Sequence, residues 1–273
     1  MRIIIHRGTH QIGGSCVELK TGDTRILLDF GMPLQDSLGA DFDDRTVNNK
    51  SLQGLIGENV LFDIKGLYRD SQPSVDAVFI SHSHKDHYGF LPYINPKIPI
   101  YLSKGAYELV RALNVFLPES KRTNIDAPTF LRHNRPVRIG GFSITPYLVD
   151  HSGFDAMGFL ISETATGKTI LYTGDFRAGG WTKKRYDDFI NKPPARVDCL
   201  LMEGTMLARG AVSIRTSQRL FKVLSKLSKT ARIRSFQSIA LVRILTALFL
   251  YTKPRGKQGL YLWWIHIPHT CSK

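Results

Sequence analysis

The chain has 273 residues, of which 42% are hydrophobic and 22% charged; this is the composition of a soluble globular protein and excludes disordered and collagen-like classes. A formal net charge of +14 ordinarily marks a nucleic-acid or acidic-surface partner. Its distribution weakens that reading, because residues 1–207 carry 24 Lys+Arg against 23 Asp+Glu, whereas residues 208–273 carry 13 against none.

Taken in chain order, short β-branched runs come first: Ile3 to Ile5, Cys16 to Leu19 and Arg25 to Asp29. Ile12-Gly13-Gly14 and Thr21-Gly22-Asp23 supply turns between them, which predicts an antiparallel meander. Residues 33–70 are polar and contain Pro and Asp, a connection suited to lie over a site. A strand is expected over Asp76 to Ile80 and a helix over Lys104 to Phe116. A second polar connection, 117–140, leads to strands near Phe142 to Tyr147, Gly158 to Glu163, Thr169 to Thr173 and Val197 to Met202. This order of strands, helices and hairpins predicts a layered α/β or α+β fold. Cys16, Cys199 and Cys271 are too few and too scattered for a disulfide framework, which points to a reducing, cytoplasmic setting. The longest late apolar stretch, Ile244 to Tyr251, is far shorter than the roughly 20 residues of a membrane span, so no membrane association is expected.

The chemistry concentrates just past the apolar strand Val78-Phe79-Ile80, in Ser81-His82-Ser83-His84-Lys85-Asp86-His87. Three imidazoles and a carboxylate within six residues offer nitrogen and hard oxygen donors to a borderline divalent cation. In extended backbone His82 and His84 project to one side, while Asp86 and His87 can turn toward a second ion. A single structural site is the simpler reading, but such sites are usually closed by four ligands, whereas mixed histidine and carboxylate sets keep a position open. Two further donors follow later strands, His151 in Val149-Asp150-His151-Ser152 and Asp175 in Thr173-Gly174-Asp175-Phe176.

This set of residues resembles the metallo-β-lactamase superfamily. The resemblance implies an αββα sandwich binding two divalent ions, zinc or manganese. His82, His84 and His151 match the first ion's ligands, Asp86 and His87 match ligands of the second, and Asp175 matches the carboxylate bridging both. Asp29, in Leu27-Leu28-Asp29-Phe30-Gly31, matches an aspartate that orients the histidine-rich loop. Leu201-Met202-Glu203-Gly204-Thr205 resembles the first acidic motif of the β-CASP branch, whose members, ribonuclease J-like proteins among them, are mostly RNA or DNA nucleases. The opening His6-Arg7-Gly8-Thr9-His10-Gln11-Ile12-Gly13-Gly14-Ser15-Cys16 is similar to the start of such proteins. Implied is hydrolysis of a phosphodiester, in RNA or single-stranded DNA, by water activated between two ions. Asp86 would orient that water or take its proton, and Glu203 would sit at the rim, near the second ion or a catalytic histidine. A small ester, thioester or lactone is the alternative substrate on the same fold.

The resemblance covers residues 1 to about 207, the N-terminal portion of the domain. A β-CASP enzyme would continue into a cap and return with further histidines, among them the last ligand of the second ion and the leaving-group acid. Here the later histidines are His266 and His269, with no strand-end acid beside them. Residues 208–273 are instead a basic tail, irregular or read out of frame. Codon degeneracy in one shifted frame permits Tyr-Pro-Asn-Glu, Asp-Ile-Asp-Arg-Ile-Val and Val-Asp-Thr-Tyr-Thr-Ala-Tyr, in that order. The expectation is a truncated, weakly active or inactive hydrolase. A non-catalytic reading, a basic RNA-binding remnant, rests on Leu220, Val223, Leu224 and Leu227 recurring opposite Lys222, Lys226 and Lys229. Sequencing the genomic DNA around and beyond codon 207 is expected to reveal the three cap strings after a single-base shift; stop codons in that frame would exclude it.

Overall fold

The N-terminal runs pair as the turn chemistry dictates. In the computed structural model β1 (Arg2–Arg7), β2 (Cys16–Thr21) and β3 (Thr24–Leu28) form the antiparallel meander, β2 and β3 joined through the two residues Gly22 and Asp23. Described are residues 1–204 other than 10–12, 37, 38, 48, 181 and 192–196. All of them fall in one unit, Met1–Ala231; the boundary expected at 207 and the tail, with its frame and stripe, lie outside the described residues.

From β3 the pairing turns parallel. β4 (Ala77–Phe79), β5 (Ile100–Ser103) and β6 (Thr129–Leu131) complete a six-stranded sheet in the order β1-β2-β3-β4-β5-β6. The second sheet is β11-β10-β9-β8-β7, from β7 (Val137–Ile139), β8 (Phe142–Leu148), β9 (Met157–Glu163), β10 (Thr169–Tyr172) and β11 (Cys199–Leu201); β11 runs parallel to β10 and the other pairs are antiparallel.

The two sheets bury one apolar layer between them. Leu19, Leu28 and Phe79 from the first sheet meet Phe142, Ile144, Phe159 and Ile161 from the second. Phe79 lies edge-on to Phe159 across the layer, ring centroids 5.8 Å apart. Outside the first sheet lies a second layer that includes Phe30, Leu55, Leu67, Phe90 and Val110, drawing on α1 (Leu52–Gly57) and α3 (Lys104–Asn114). Outside the second sheet, Phe189 of α4 (Lys183–Asn191) packs with Val149 and Leu171. Helix, sheet, sheet and helix follow in that order, the expected αββα sandwich.

The polar connections hold more order than their composition suggested. Within 33–70 lies α1, whose Ser51 side chain accepts the Gly54 N–H at 3.1 Å; six residues with one buried side chain, Leu55, give no readable period. Within 117–140 lie β6 and β7, three residues each, set beside Pro128 and Pro136. β5, between Pro99 and α3, and the polar α4 were likewise not anticipated. The helix expected to reach Phe116 ends at Asn114. Cys16 and Cys199 are free, and no helix among the described residues is long and apolar enough to cross a membrane.

One buried acid ties the meander together. Glu18 on β2 pairs with His6 Nε2 at 3.1 Å and Arg25 Nε at 3.0 Å. The His6 bond first, and Arg25 after it, hold its carboxyl at about 2 against the opposing effect of burial. A carboxyl depressed on folding stabilises the fold above its ordinary value of 4.5, and that contribution is lost as the pH falls from 4.5 through about 2. Glu18→Gln is expected to lower the unfolding free energy at pH 7 by about 1.5–3 kcal/mol in urea titrations, the range for a hydrogen bond to a charged group. The difference from wild type should shrink as the pH descends through that window.

Candidate metal centre

Strand β4 stops level with β3, Phe79 opposite Leu28, while β5 runs on to Ser103. Ile80 N–H still bonds Tyr101 O at 2.8 Å, and Ser81 O accepts from Met157 N at 2.9 Å, which ties this exit to both sheets. The backbone is extended through His84 (φ −93°, ψ 140°) and then turns into α2 (Lys85–Tyr88). His82 and His84 therefore share a side, as strand alternation requires, and the helical turn re-aims Asp86 and His87.

A helix of four residues cannot sustain itself, because nucleation costs more than one hydrogen bond returns. Its carbonyls are held from outside. Met32 N–H bonds Lys85 O at 3.0 Å, Ser15 N–H bonds Asp86 O at 3.0 Å, and Phe30 N–H bonds His87 O at 2.8 Å. The approach is close enough that a Cβ at Gly31 would overlap the Asp86 carbonyl oxygen. The Gly-Ser-Cys and Asp-Phe-Gly segments of the sequence thus clamp the helix that carries Asp86 and His87.

Asp29 sits beneath this arrangement with no solvent exposure and φ +58°. Its Oδ1 accepts the Ser81 N–H at 2.7 Å; its Oδ2 accepts Ser81 Oγ at 2.8 Å, Tyr172 OH at 2.6 Å and His87 Nδ1 at 2.7 Å. Ser81 Oγ, having donated to Asp29, accepts from His82 Nδ1 at 3.0 Å. Both rings carry hydrogen at Nδ1 in this pattern and turn Nε2 toward the site. Asp29 is thus bonded to the histidine segment, and Ser81 and Tyr172 are partners of it that sequence reasoning did not single out. A lone hydroxyl at a strand end carries no periodic signal.

Two groups of donors converge above it. His82, His84 and His151 form one, and His82, His87 and Asp175 the other, the ligand atoms of each lying within 4.8 Å of one another. His84 Nδ1 is 2.9 Å from His82 Nε2 and 3.1 Å from His151 Nε2. Asp175 faces both groups, with Oδ1 3.4 Å from His87 Nε2 and Oδ2 3.9 Å from His151 Nε2. Asp86 stands at the edge, its Oδ2 3.8 Å from His87 Nε2, and belongs to neither group.

Charge in the site is divided sharply. Burial, together with the neighbouring histidines, holds His82 well below the usual histidine range and His151 at about 3; burial also lowers His84. These three are neutral at physiological pH. Burial acts the same way on His87, but Asp29 and Asp175 outweigh it and raise the ring well above 6.5. Asp175 is held at about 2, because the surrounding imidazoles, His87 first, overcome the effect of burial. Three neutral rings, His82 buried and His84 and His151 partly so, thus point nitrogens at one another, and His151 Nδ1 has no hydrogen-bond partner. Neutral imidazoles and an ionised carboxylate are the protonation states that a divalent cation requires, so the residues present fit one.

The loop bearing Asp175 is fixed at both flanks. Glu203 Oε1 accepts the Phe176 N–H at 2.7 Å, so this carboxylate, expected at the rim beside an ion or a histidine, grips the backbone next to Asp175. Buried Asp150 accepts Gly180 N–H at 2.7 Å and Thr182 Oγ1 at 2.8 Å, while its carbonyl accepts Arg177 N–H at 2.7 Å. A Cβ at Gly180 would overlap the Asp150 carboxylate. Asp150, next to His151 in sequence, was also missed. A cavity of about 370 Å³ opens alongside, lined by Arg7, Thr9, Ser15, Asp175 and Glu203 among others.

Residues 57–222 match the family described as the beta-lactamase superfamily domain. The chain belongs to this superfamily. Among curated relatives it is 27% identical over 222 residues to the Probable RNase MJ4 of Methanocaldococcus jannaschii, covering 75% of this chain and 45% of that protein. It is 25% identical over 224 residues to the Transcription termination factor FttA of the same organism (75% and 31%) and 24% identical over 170 residues to Ribonuclease J of Helicobacter pylori (62% and 22%). These relatives accord with the β-CASP resemblance of the N-terminal part, and the chain spans less than half the length of each. A solved structure of a protein of unknown function from Enterococcus faecalis V583 superposes with a TM-score of 0.69 at 24% identity, covering 84% of this chain and 57% of that one; it shares the fold. Membership of the superfamily and the two donor groups together mark this as a candidate metal centre.

Asp29→Asn removes the charge on which four donors converge. Competition against a chromophoric chelator is expected to show divalent metal held about 10–100-fold more weakly, the cost usual for losing a group that orients a ligand, with the far-UV spectrum retained.

Proposed function

We propose that the chain is the metal-binding hydrolytic portion of a ribonuclease of the β-CASP kind, cleaving phosphodiester bonds in RNA. The observation that carries this reading is Asp175, one carboxylate whose two oxygens face two different histidine groups, in a chain whose curated relatives include two proteins named as ribonucleases. His82, His84 and His151 would hold one divalent ion, zinc or manganese; His87, Asp175 and Asp86 would hold the second. When bound, such ions act as Lewis acids toward a phosphoryl group and lower the pKa of water.

The remaining work belongs to the protein. Asp86, 15% exposed at the edge of the clusters, is placed to orient an attacking water and accept its proton. Asp29 sets the direction of His87 and, through Ser81, of His82. Glu203 and Asp150 keep Asp175 and His151 in place, so neither acid needs to touch substrate. RNA is the substrate in this reading and the cytoplasm its setting.

Purified chain is expected to cleave a labelled single-stranded RNA slowly, in a reaction abolished by chelation and restored by zinc or manganese. His84→Ala should bring the rate to background and remove metal measured by elemental analysis. Turnover of p-nitrophenyl acetate, with RNA left intact under all metal conditions, would overturn the assignment in favour of a small-ester hydrolase.

A further inference from the structure

Away from the metal centre, helix α3 borders a cleft of about 570 Å³ that none of the chemistry above uses. Tyr107, Arg111 and Asn114 recur at i, i+4 and i+7 and so line it from one face of the helix; Arg122, Thr123 and Asp126 form the opposite wall. The wall is built rather than draped, because the Asn114 side chain donates to Thr123 O at 2.8 Å and accepts from Thr123 N–H at 3.0 Å. This double bond between helix and loop fixes the position of the adjacent Arg122.

The lining combines cations with an aromatic ring. Arg111 lies over the Tyr107 ring at 5.6 Å and is 61% exposed, with one long contact of 3.4 Å to Glu108. Arg122 uses its Nε on Leu117 O at 3.0 Å, which leaves the end of its guanidinium for a ligand. Tyr107 is backed by Phe130, centroids 5.4 Å apart, itself 41% exposed. Among the charged residues lining the cleft, Arg111 and Arg122 stand against Asp126.

The cleft is also connected to the site. A Cβ at Gly105, in the first turn of α3, would lie 2.5 Å from Phe154 Cδ1 and 2.6 Å from Asp155 Oδ2. The helix therefore starts against the loop that begins at His151, and its rise of 1.5 Å per residue carries the 107/111/114 face about 3 to 14 Å onward from Gly105.

We propose that this cleft is a second binding site for single-stranded RNA, in which Arg111 and Arg122 contact phosphates and a base takes the face of Tyr107 that Arg111 leaves as it turns to the phosphate, holding the strand beyond the bond at the metal centre. The ligand identity rests on the ribonuclease reading above; the cleft itself does not. Guanidinium groups pair with phosphate oxygens and aromatic faces accept any base, so the site would grip a strand without reading sequence.

Anisotropy of a fluorescein-labelled 20-nucleotide RNA, measured in EDTA so that no cleavage is required, tests it on the full chain. Arg111→Ala/Arg122→Ala is expected to weaken binding about 10-fold or more and to reduce the slope of log K against log salt by about 1.4, since each phosphate contact on a single strand contributes about 0.7. Tyr107→Leu should weaken binding with the slope unchanged, and Arg135→Ala, outside the cleft, serves as the control. Wild-type affinity and slope in the double variant, or no binding of RNA by wild type, would overturn the proposal. Binding that follows these expectations in a chain that turns over p-nitrophenyl acetate and leaves RNA intact would sink the ribonuclease reading and leave the cleft.

Discussion

The structure around the centre depends on one buried carboxylate. Asp29 would be costly in an apolar interior if left unpaired, yet it receives four hydrogen bonds from Ser81, Tyr172 and His87. Those donors come from the end of β4, the end of β10 and the short helix α2, so a single charge joins both sheets and the histidine segment. The left-handed backbone at Asp29, φ +58°, is tolerated by Asp far better than by β-branched residues. It lets the chain leave β3 and turn its next residues, Phe30 to Met32, under α2.

Rigidity here is tertiary rather than local. Neither α2 nor the 174–182 segment has the length or pattern to hold its own shape. One is bonded through its carbonyls to residues 15–32, and the other is bonded to Glu203 and Asp150. Acids that look catalytic in a one-dimensional reading thus divide into two kinds. Asp175 and Asp86 face the ligand nitrogens, Asp150 and Glu203 hold backbone and hydroxyl donors, and Asp29 holds donors of both those kinds together with the far nitrogen of His87.

This division explains how much was legible from sequence. Strands β1 to β3 and β8 to β10 were readable because β-branched runs sit between Gly turns, and the ligand candidates were readable because histidines and carboxylates cluster at strand ends. Short elements set among polar residues, such as α1, β6 and β7, carry no period of their own and depend on their neighbours. Ser81, Tyr172 and Asp150 were invisible for a related reason: their importance lies in partners up to 143 residues away. Glu203 was found, but its partner, a backbone N–H, leaves no trace in the side-chain alphabet.

That separation also bears on the order in which the molecule assembles. Asp29 and Tyr172 meet only after the N-terminal meander has closed against a strand made 143 residues later, and contacts so distant in sequence form late, after the loop-closure entropy between them has been overcome. A nascent or half-folded chain therefore holds its histidines on an unsupported segment, without the carboxylate that aims them. The centre would therefore bind a cation at full strength only once the two sheets have docked, which ties its affinity to completed folding.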